Sequence, residues 1–130
     1  MDIKFIKQIP IFSHLDDGKA QLVMDAFEMK SFGSGDFIFQ QGDVGIGMYG
    51  IIFGEVEVIR NDEVIAKLGT NDFFGEMALI ADEKRSATVK AISDLSCFYL
   101  SKQAFDAIKD DLGAEVRQEI LRRISEDYEE

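Results

Sequence analysis

Between Met29 and Leu100 the chain is cut into short apolar segments by turn residues, and this punctuation limits the folds it can adopt. Phe32, then Gly33 to Asp36, then Phe37-Ile38-Phe39 read as a strand, a turn and another strand. A turn-rich loop follows, Gln40-Gln41-Gly42-Asp43-Val44-Gly45-Ile46-Gly47. Tyr49 to Phe53 and Glu55 to Arg60 read as strands broken by Gly54. In the second, Val56 and Val58 alternate with Glu55 and Glu57, which is the period of a half-buried strand, and Arg60 closes the segment. Asn61-Asp62 is a tight hairpin signal, and Val64 to Gly69 is its return strand. Ser86 to Ala91 and Leu95 to Leu100 complete the series. Many short strands joined by turns point to a sandwich or jelly roll.

Helical spacing flanks this region on both sides. Ile3, Phe5, Ile6 and Ile9 suit a short helix that stops before Pro10, and Ile11, Phe12 and Leu15 follow in a compact turn. Asp16 or Asp17 caps a second helix to about Phe27, with Leu22, Val23, Ala26 and Phe27 spaced for one face. At the other end Ser101 is an N-cap for a helix carrying Ala104, Phe105 and Ile108. Gly113 breaks the chain, and Ala114 to about Tyr128 forms a last helix with Val116, Ile120, Leu121 and Ile124 on one stripe. The expected architecture is mainly β with flanking helices (α+β): a β-roll or jelly roll of about eight strands, N-terminal helices and two C-terminal helices. Residues 1–130 make a single domain, helical over 1–28, β-roll over 29–100 and helical again over 101–128.

Composition removes several function classes. Fourteen basic and 25 acidic side chains give a net charge of −11, the wrong sign for direct contact with nucleic acid. No apolar run is long enough to span a membrane, and Met1 to Ile6 is amphipathic rather than a signal peptide. The single cysteine, Cys97, cannot form an internal disulfide and fits a reducing, cytoplasmic setting; beside Phe98 in an apolar run, it reads as core. His14 is the only histidine and reads as a surface residue. An enzyme on a similar roll, such as a metal-dependent cupin, needs a cluster of ligands that are mostly histidine, so neither a metal site nor a catalytic residue is assigned.

The chemistry is concentrated in Phe73-Phe74-Gly75-Glu76-Met77-Ala78-Leu79-Ile80-Ala81-Asp82-Glu83-Lys84-Arg85-Ser86-Ala87-Thr88-Val89. Gly75 lets the backbone turn and approach something closely. Residues 76 to 79 can form one helical turn whose first N–H groups lack partners within it. Arg85 offers a rigid fork of donors suited to phosphate, Ser86 adds a hydroxyl, and Ala87 leaves its backbone N–H accessible. Glu76 is an acceptor that can hold a sugar hydroxyl beside that anion. These are the parts of a pocket for a phosphorylated sugar.

Phe74-Gly75-Glu76, Ala78-Leu79 and Arg85-Ser86-Ala87-Thr88-Val89 resemble the phosphate-binding cassette of cyclic nucleotide-binding domains, and the likeness covers about residues 5 to 125. The family includes regulatory subunits of cAMP-dependent protein kinase, cGMP-dependent protein kinases, cyclic-nucleotide-gated channels and bacterial transcription regulators. The resemblance implies a regulatory binding module rather than an enzyme, with cAMP, or less readily cGMP, as ligand and no cofactor. It implies that Glu76 accepts from the ribose 2′-hydroxyl and that Arg85 and Ser86 bind the cyclic phosphate. The N–H groups of Ala78 and Ala87 help, with Gly75 and Met77 in the same contact set. It further implies that the last helix, hinged near Asp110 to Gly113, closes over the base, with Leu121, Ile124 and Tyr128 as lid candidates. Two positions depart from the pattern: Ile46 stands where the family usually carries an aspartate, and Gly50 where it carries a bulky apolar residue. Nothing in the sequence explains Gly50. The expected partners are the nucleotide, an effector domain or partner protein outside this chain, and a second copy of the chain, with Ile3, Phe5 and Ile6 as a contact surface. The competing expectation is a degenerate domain that keeps the fold as an interaction module without binding a nucleotide.

Overall fold

The computed structural model describes residues 3–79 and 84–128, with backbone only at 120 and 123–128. Two antiparallel four-stranded sheets face each other. The first has the order β1 (Glu28–Phe32), β8 (Leu95–Ser101), β3 (Gly47–Phe53), β6 (Phe73–Phe74). The second has the order β2 (Phe37–Phe39), β7 (Thr88–Ala91), β4 (Val56–Arg60), β5 (Glu63–Leu68). Their inner faces close on Tyr49, Ile51, Val56, Phe74, Val89, Ala91, Leu95, Cys97 and Tyr99.

β3 and β8 are buried on both faces, and the two-residue period sorts their side chains. Tyr49, Ile51, Cys97 and Tyr99 point between the sheets, while Met48 and Leu100 join a second core under the helices. That second core holds Ile6, Ile9, Phe12, Val23, Phe105, Leu112 and Val116. It is built by α1 (Ile3–Gln8), a 3₁₀ turn at Pro10–Phe12, α2 (Asp17–Ala26), α3 (Lys102–Ile108), a 3₁₀ turn at Lys109–Leu112 and α4 (Ala114–Tyr128). Each fully buried aliphatic or phenyl side chain contributes about 1.5–3 kcal/mol here. Asp16 caps α2 by accepting from the Lys19 N–H at 2.9 Å, and Ser101 caps α3 by accepting from the Ala104 N–H at 3.0 Å. Asn61 and Asp62 have φ of 51° and 65°, as a two-residue hairpin requires.

Three details differ from the sequence reading. The buried stripe of α2 is Ala20 and Val23, with Ala26 and Phe27 partly buried, while Leu22 is exposed. The strand expected from Ser86 begins at Thr88, because the polar groups of 85 and 86 bond to a loop and a side chain instead of a ladder. Ile3, Phe5 and Ile6 are not an open contact surface: Ile6 is fully buried, and Ile3 and Phe5 pack against the same core.

Phe5 supplies the physical reason for Gly50. Its ring lies across the outer face of β3, 5.2 Å from the Phe98 ring, and a Cβ at position 50 would sit 3.1 Å from two of its carbons. The missing side chain in the sheet is replaced by a ring delivered from α1. Gly50→Val should therefore destabilise the domain by about 1–3 kcal/mol through overpacking. The loss should shrink in a Phe5→Ala background, which a double-mutant cycle read by urea denaturation checks.

Cys97 is fully buried, and burial pushes its thiol up to about 12. Tyr49 is likewise pushed up to about 12, chiefly by burial. Both raised values favour the neutral form, so their stabilisation is complete below the unfolded-state values and is lost as pH rises through about 12. At pH 8 the folded chain should resist a thiol-alkylating reagent that labels it promptly in denaturant. Mass spectrometry of the labelled protein checks this.

Candidate functional site

The chain leaves β6 through Gly75, whose φ of 77° suits a residue without a Cβ. It then makes a single 3₁₀ turn, Glu76–Leu79, with Ala78 and Leu79 buried. The N–H of Ala78 donates to the Gly75 carbonyl at 3.2 Å, so this amide is used within the turn. On the far side of the cassette Arg85 is buried. Its backbone is fixed twice: the Arg85 N–H donates to the Asp43 carbonyl at 2.7 Å, and its carbonyl accepts from the Gly42 N–H at 2.9 Å.

The Arg85 guanidinium points inward. Nη2 donates to the Gly47 carbonyl at 2.6 Å and Nη1 to the Gly75 carbonyl at 3.1 Å. The Phe39 ring lies 4.0 Å from its central carbon, a cation–π contact. Among the described residues Nε has no hydrogen-bond partner, and no carboxylate is within ion-pair distance of the group. Burial lowers its pKa from the ordinary guanidinium value, partly offset by the Tyr49 and Tyr99 hydroxyls and by Asp43. A buried cation held by carbonyls and a ring, without a carboxylate, is a receptive partner for an incoming anion.

The loop that supplies the Gly47 carbonyl is held by its own backbone. The Ile46 carbonyl accepts from the Lys102 N–H at 2.8 Å and from the Tyr99 hydroxyl at 3.2 Å, while the Ile46 side chain is exposed. Gly47 is in register with Ser101, the cap of α3. The apolar residue at 46 therefore leaves the loop in shape, and Arg85 takes carbonyls in place of a carboxylate.

A cleft of about 660 Å³ opens beside this group, a size suited to a nucleotide. Of the expected site residues, Gly75, Glu76, Met77, Ala78, Arg85, Ser86 and Ala87 all line it. Phe39, Gly45, Val58, Arg60 and Lys84, which the sequence does not single out for the site, share the walls with Phe74 and Val89. For Val58 and Arg60 the signal was present, because the alternation of β4 puts them on the face that carries buried Val56. For Phe39 no local pattern distinguishes a site ring from a core ring. Three cations, Arg60, Lys84 and Arg85, stand against Glu76, so the cleft is locally basic in an acidic protein. Leu121 is exposed on α4 and does not line the cleft. The side chains of Ile124 and Tyr128 lie outside the described residues. The described residues contain no group of three or more His, Cys, Asp or Glu able to hold a metal, and no helix long and apolar enough to cross a membrane.

The family model for the cyclic nucleotide-binding domain matches residues 29–111. The chain belongs to the cyclic nucleotide-binding domain family. A cGMP-dependent protein kinase from Plasmodium berghei (strain Anka) is 43% identical over 101 residues, 77% of this chain and 12% of the kinase. A cAMP-dependent protein kinase regulatory subunit from Blastocladiella emersonii is 35% identical over 130 residues, 96% of this chain and 31% of the subunit. The chain thus spans less than a third of either relative. A solved structure described as cAMP-bound PfPKA-R superposes with a TM-score of 0.76 at 32% identity, covering 82% of this chain and 39% of that one. The family makes this a ligand-binding domain of the β-roll type, not a catalytic one.

Gly75 sets the tightest steric limit on the site. A Cβ there would lie 2.7 Å from Arg85 Nη1 and 3.3 Å from the Gly47 carbonyl oxygen. Gly75→Ala should push the guanidinium off its carbonyls and lower stability by about 1–3 kcal/mol from strain and contact together. Thermal unfolding measures the loss, and loss of the Arg85 Nη signals at low temperature in NMR spectra reports the displaced side chain.

Proposed function

We propose that the chain is a cyclic nucleotide sensor that takes cAMP in preference to cGMP. The observation that carries this reading is the buried Arg85 guanidinium beside a nucleotide-sized cleft, held by two carbonyls and a ring and without a carboxylate partner among the described residues. Arg85 takes the cyclic phosphate, Ser86 bonds a phosphate oxygen through its hydroxyl, and the Ala87 N–H donates to the same group. Glu76 accepts from the ribose 2′-hydroxyl. Phe39 and Val58 give the base and sugar apolar walls. The preference for cAMP is supported by the relatives named for it, while the 43% identity to a kinase named for cGMP keeps cGMP as the second ligand to test.

Signal leaves through α4. Gly113 has φ 88° between two helical segments, and Arg117 pairs with Asp110 across it at 3.2 Å on the surface. Beyond buried Val116 the helix carries exposed Leu121, and a small cavity of about 200 Å³ lies beneath its first turn, lined by Phe105, Lys109, Val116 and Arg117. These features support a helix whose first turn is anchored and whose remainder swings over the base, shifting the population seen by an effector outside this chain. The net charge of −11 supports a protein effector rather than nucleic acid, and the buried, unpaired Cys97 supports a reducing, cytoplasmic setting.

Calorimetric titration with cAMP and cGMP in parallel tests the reading. The wild-type chain should saturate with one nucleotide, and Arg85→Ala should lose about 30-fold to several thousand-fold in affinity, equivalent to about 2–5 kcal/mol. Circular dichroism establishes that the variant is folded. A folded wild-type chain that binds neither nucleotide would leave the degenerate interaction module. Hydrogen exchange follows the helix: amides beyond Val116 should gain protection on saturation, and unchanged protection would sink the moving-helix part alone.

A further inference from the structure

The end of the cassette is fastened to the rest of the fold at several polar groups. Arg85 uses its N–H and carbonyl on Asp43 and Gly42, and the Thr88 hydroxyl accepts from the Gln41 N–H at 2.8 Å. Between them the Ser86 carbonyl accepts from Arg60 Nε at 3.2 Å. Arg60 is itself well placed. It ends β4, pairs with Glu63 across the Asn61–Asp62 turn, and precedes an asparagine tied to Gln41 by two reciprocal bonds of 3.1 and 3.0 Å. Among the described residues it makes no ion pair, although 25 carboxylates are available in the chain.

We propose that Arg60 is a positioning residue that aims the Ser86–Ala87 peptide at the ligand phosphate. This rests on the reading above, in which the Ala87 N–H is a phosphate donor. A trans peptide is planar, so the N–H of Ala87 points opposite to the carbonyl of Ser86. Holding that carbonyl toward β4 therefore fixes where the Ala87 N–H points. The bond also acts electronically: a cationic donor on the carbonyl polarises the amide and makes its N–H a stronger donor. The aim is set from β4 and its hairpin, so the cassette does not have to orient this amide by itself.

The test uses the whole chain and the nucleotide that the wild type binds more tightly. Wild type, Arg60→Gln and Arg60→Lys are titrated by calorimetry, and the Ala87 amide is followed by ¹⁵N–¹H NMR spectra with and without saturating ligand. Arg60→Gln should bind about tenfold more weakly, with an unchanged melting temperature and a smaller ligand-induced downfield shift at Ala87. Arg60→Lys, whose ammonium can still reach the carbonyl, should recover much of both. Wild-type affinity and a full Ala87 shift in Arg60→Gln would overturn the proposal. So would weaker binding with the Ala87 shift intact, which would mean that Arg60 meets the ligand directly. If the wild type binds neither nucleotide, the failure lies in the underlying reading and not in the role of Arg60.

Discussion

The structure turns on how a guanidinium is kept out of water at the wall of a cleft. Desolvating a cation is costly, and the usual remedy is a carboxylate in contact with it. Arg85 has two main-chain carbonyls and an aromatic face instead. Carbonyl dipoles solvate the charge without neutralising it. The site can thus be built before any ligand arrives and still retain its attraction for an anion. The two carbonyls belong to Gly47 and Gly75, one on each side of the β3–β6 pairing, so the position of the cation depends on that short ladder.

Everything that holds the ladder in place follows from strands buried on both faces. β3 and β8 separate two cores: Tyr49, Ile51, Leu95, Cys97 and Tyr99 belong to one, Met48 and Leu100 to the other. Phe5 on Gly50 is part of the same arrangement: an N-terminal ring occupies the outer face of β3, one residue from Tyr49, which stacks on Phe74 at 5.3 Å on the inner face. The site is continuous with both cores, and the helices are as much a part of its foundation as the sheets.

Much of this was legible in the sequence. The hairpin at Asn61-Asp62, the caps at Asp16 and Ser101 and the break at Gly113 are local events, governed by residue types that act on their own backbone. The cassette was legible for the same reason, since its residues are nearly contiguous. What was not legible depends on distant partners. Gly50 has a reason only once α1 is folded back over β3, 45 residues away in sequence by the numbering of Phe5 and Gly50. Ile46 looks like a defect until its carbonyl, not its side chain, proves to be the working group. Alternation puts Arg60 on the face of Val56 and Val58, but only the fold brings it to Ser86.

Ser101 belongs at once to β8 and to the cap of α3, and its neighbour Lys102 donates to the Ile46 carbonyl in the loop that positions Arg85. There is no linker between sheet and helix at this point, and hence no slack. α3 is a direct continuation of the strand that pairs with the loop positioning Arg85. The chain next changes direction at Gly113, whose φ is 88°. Sheet, cap and helix thus form one continuous run of hydrogen-bonded backbone from the Arg85 loop to the turn before Gly113.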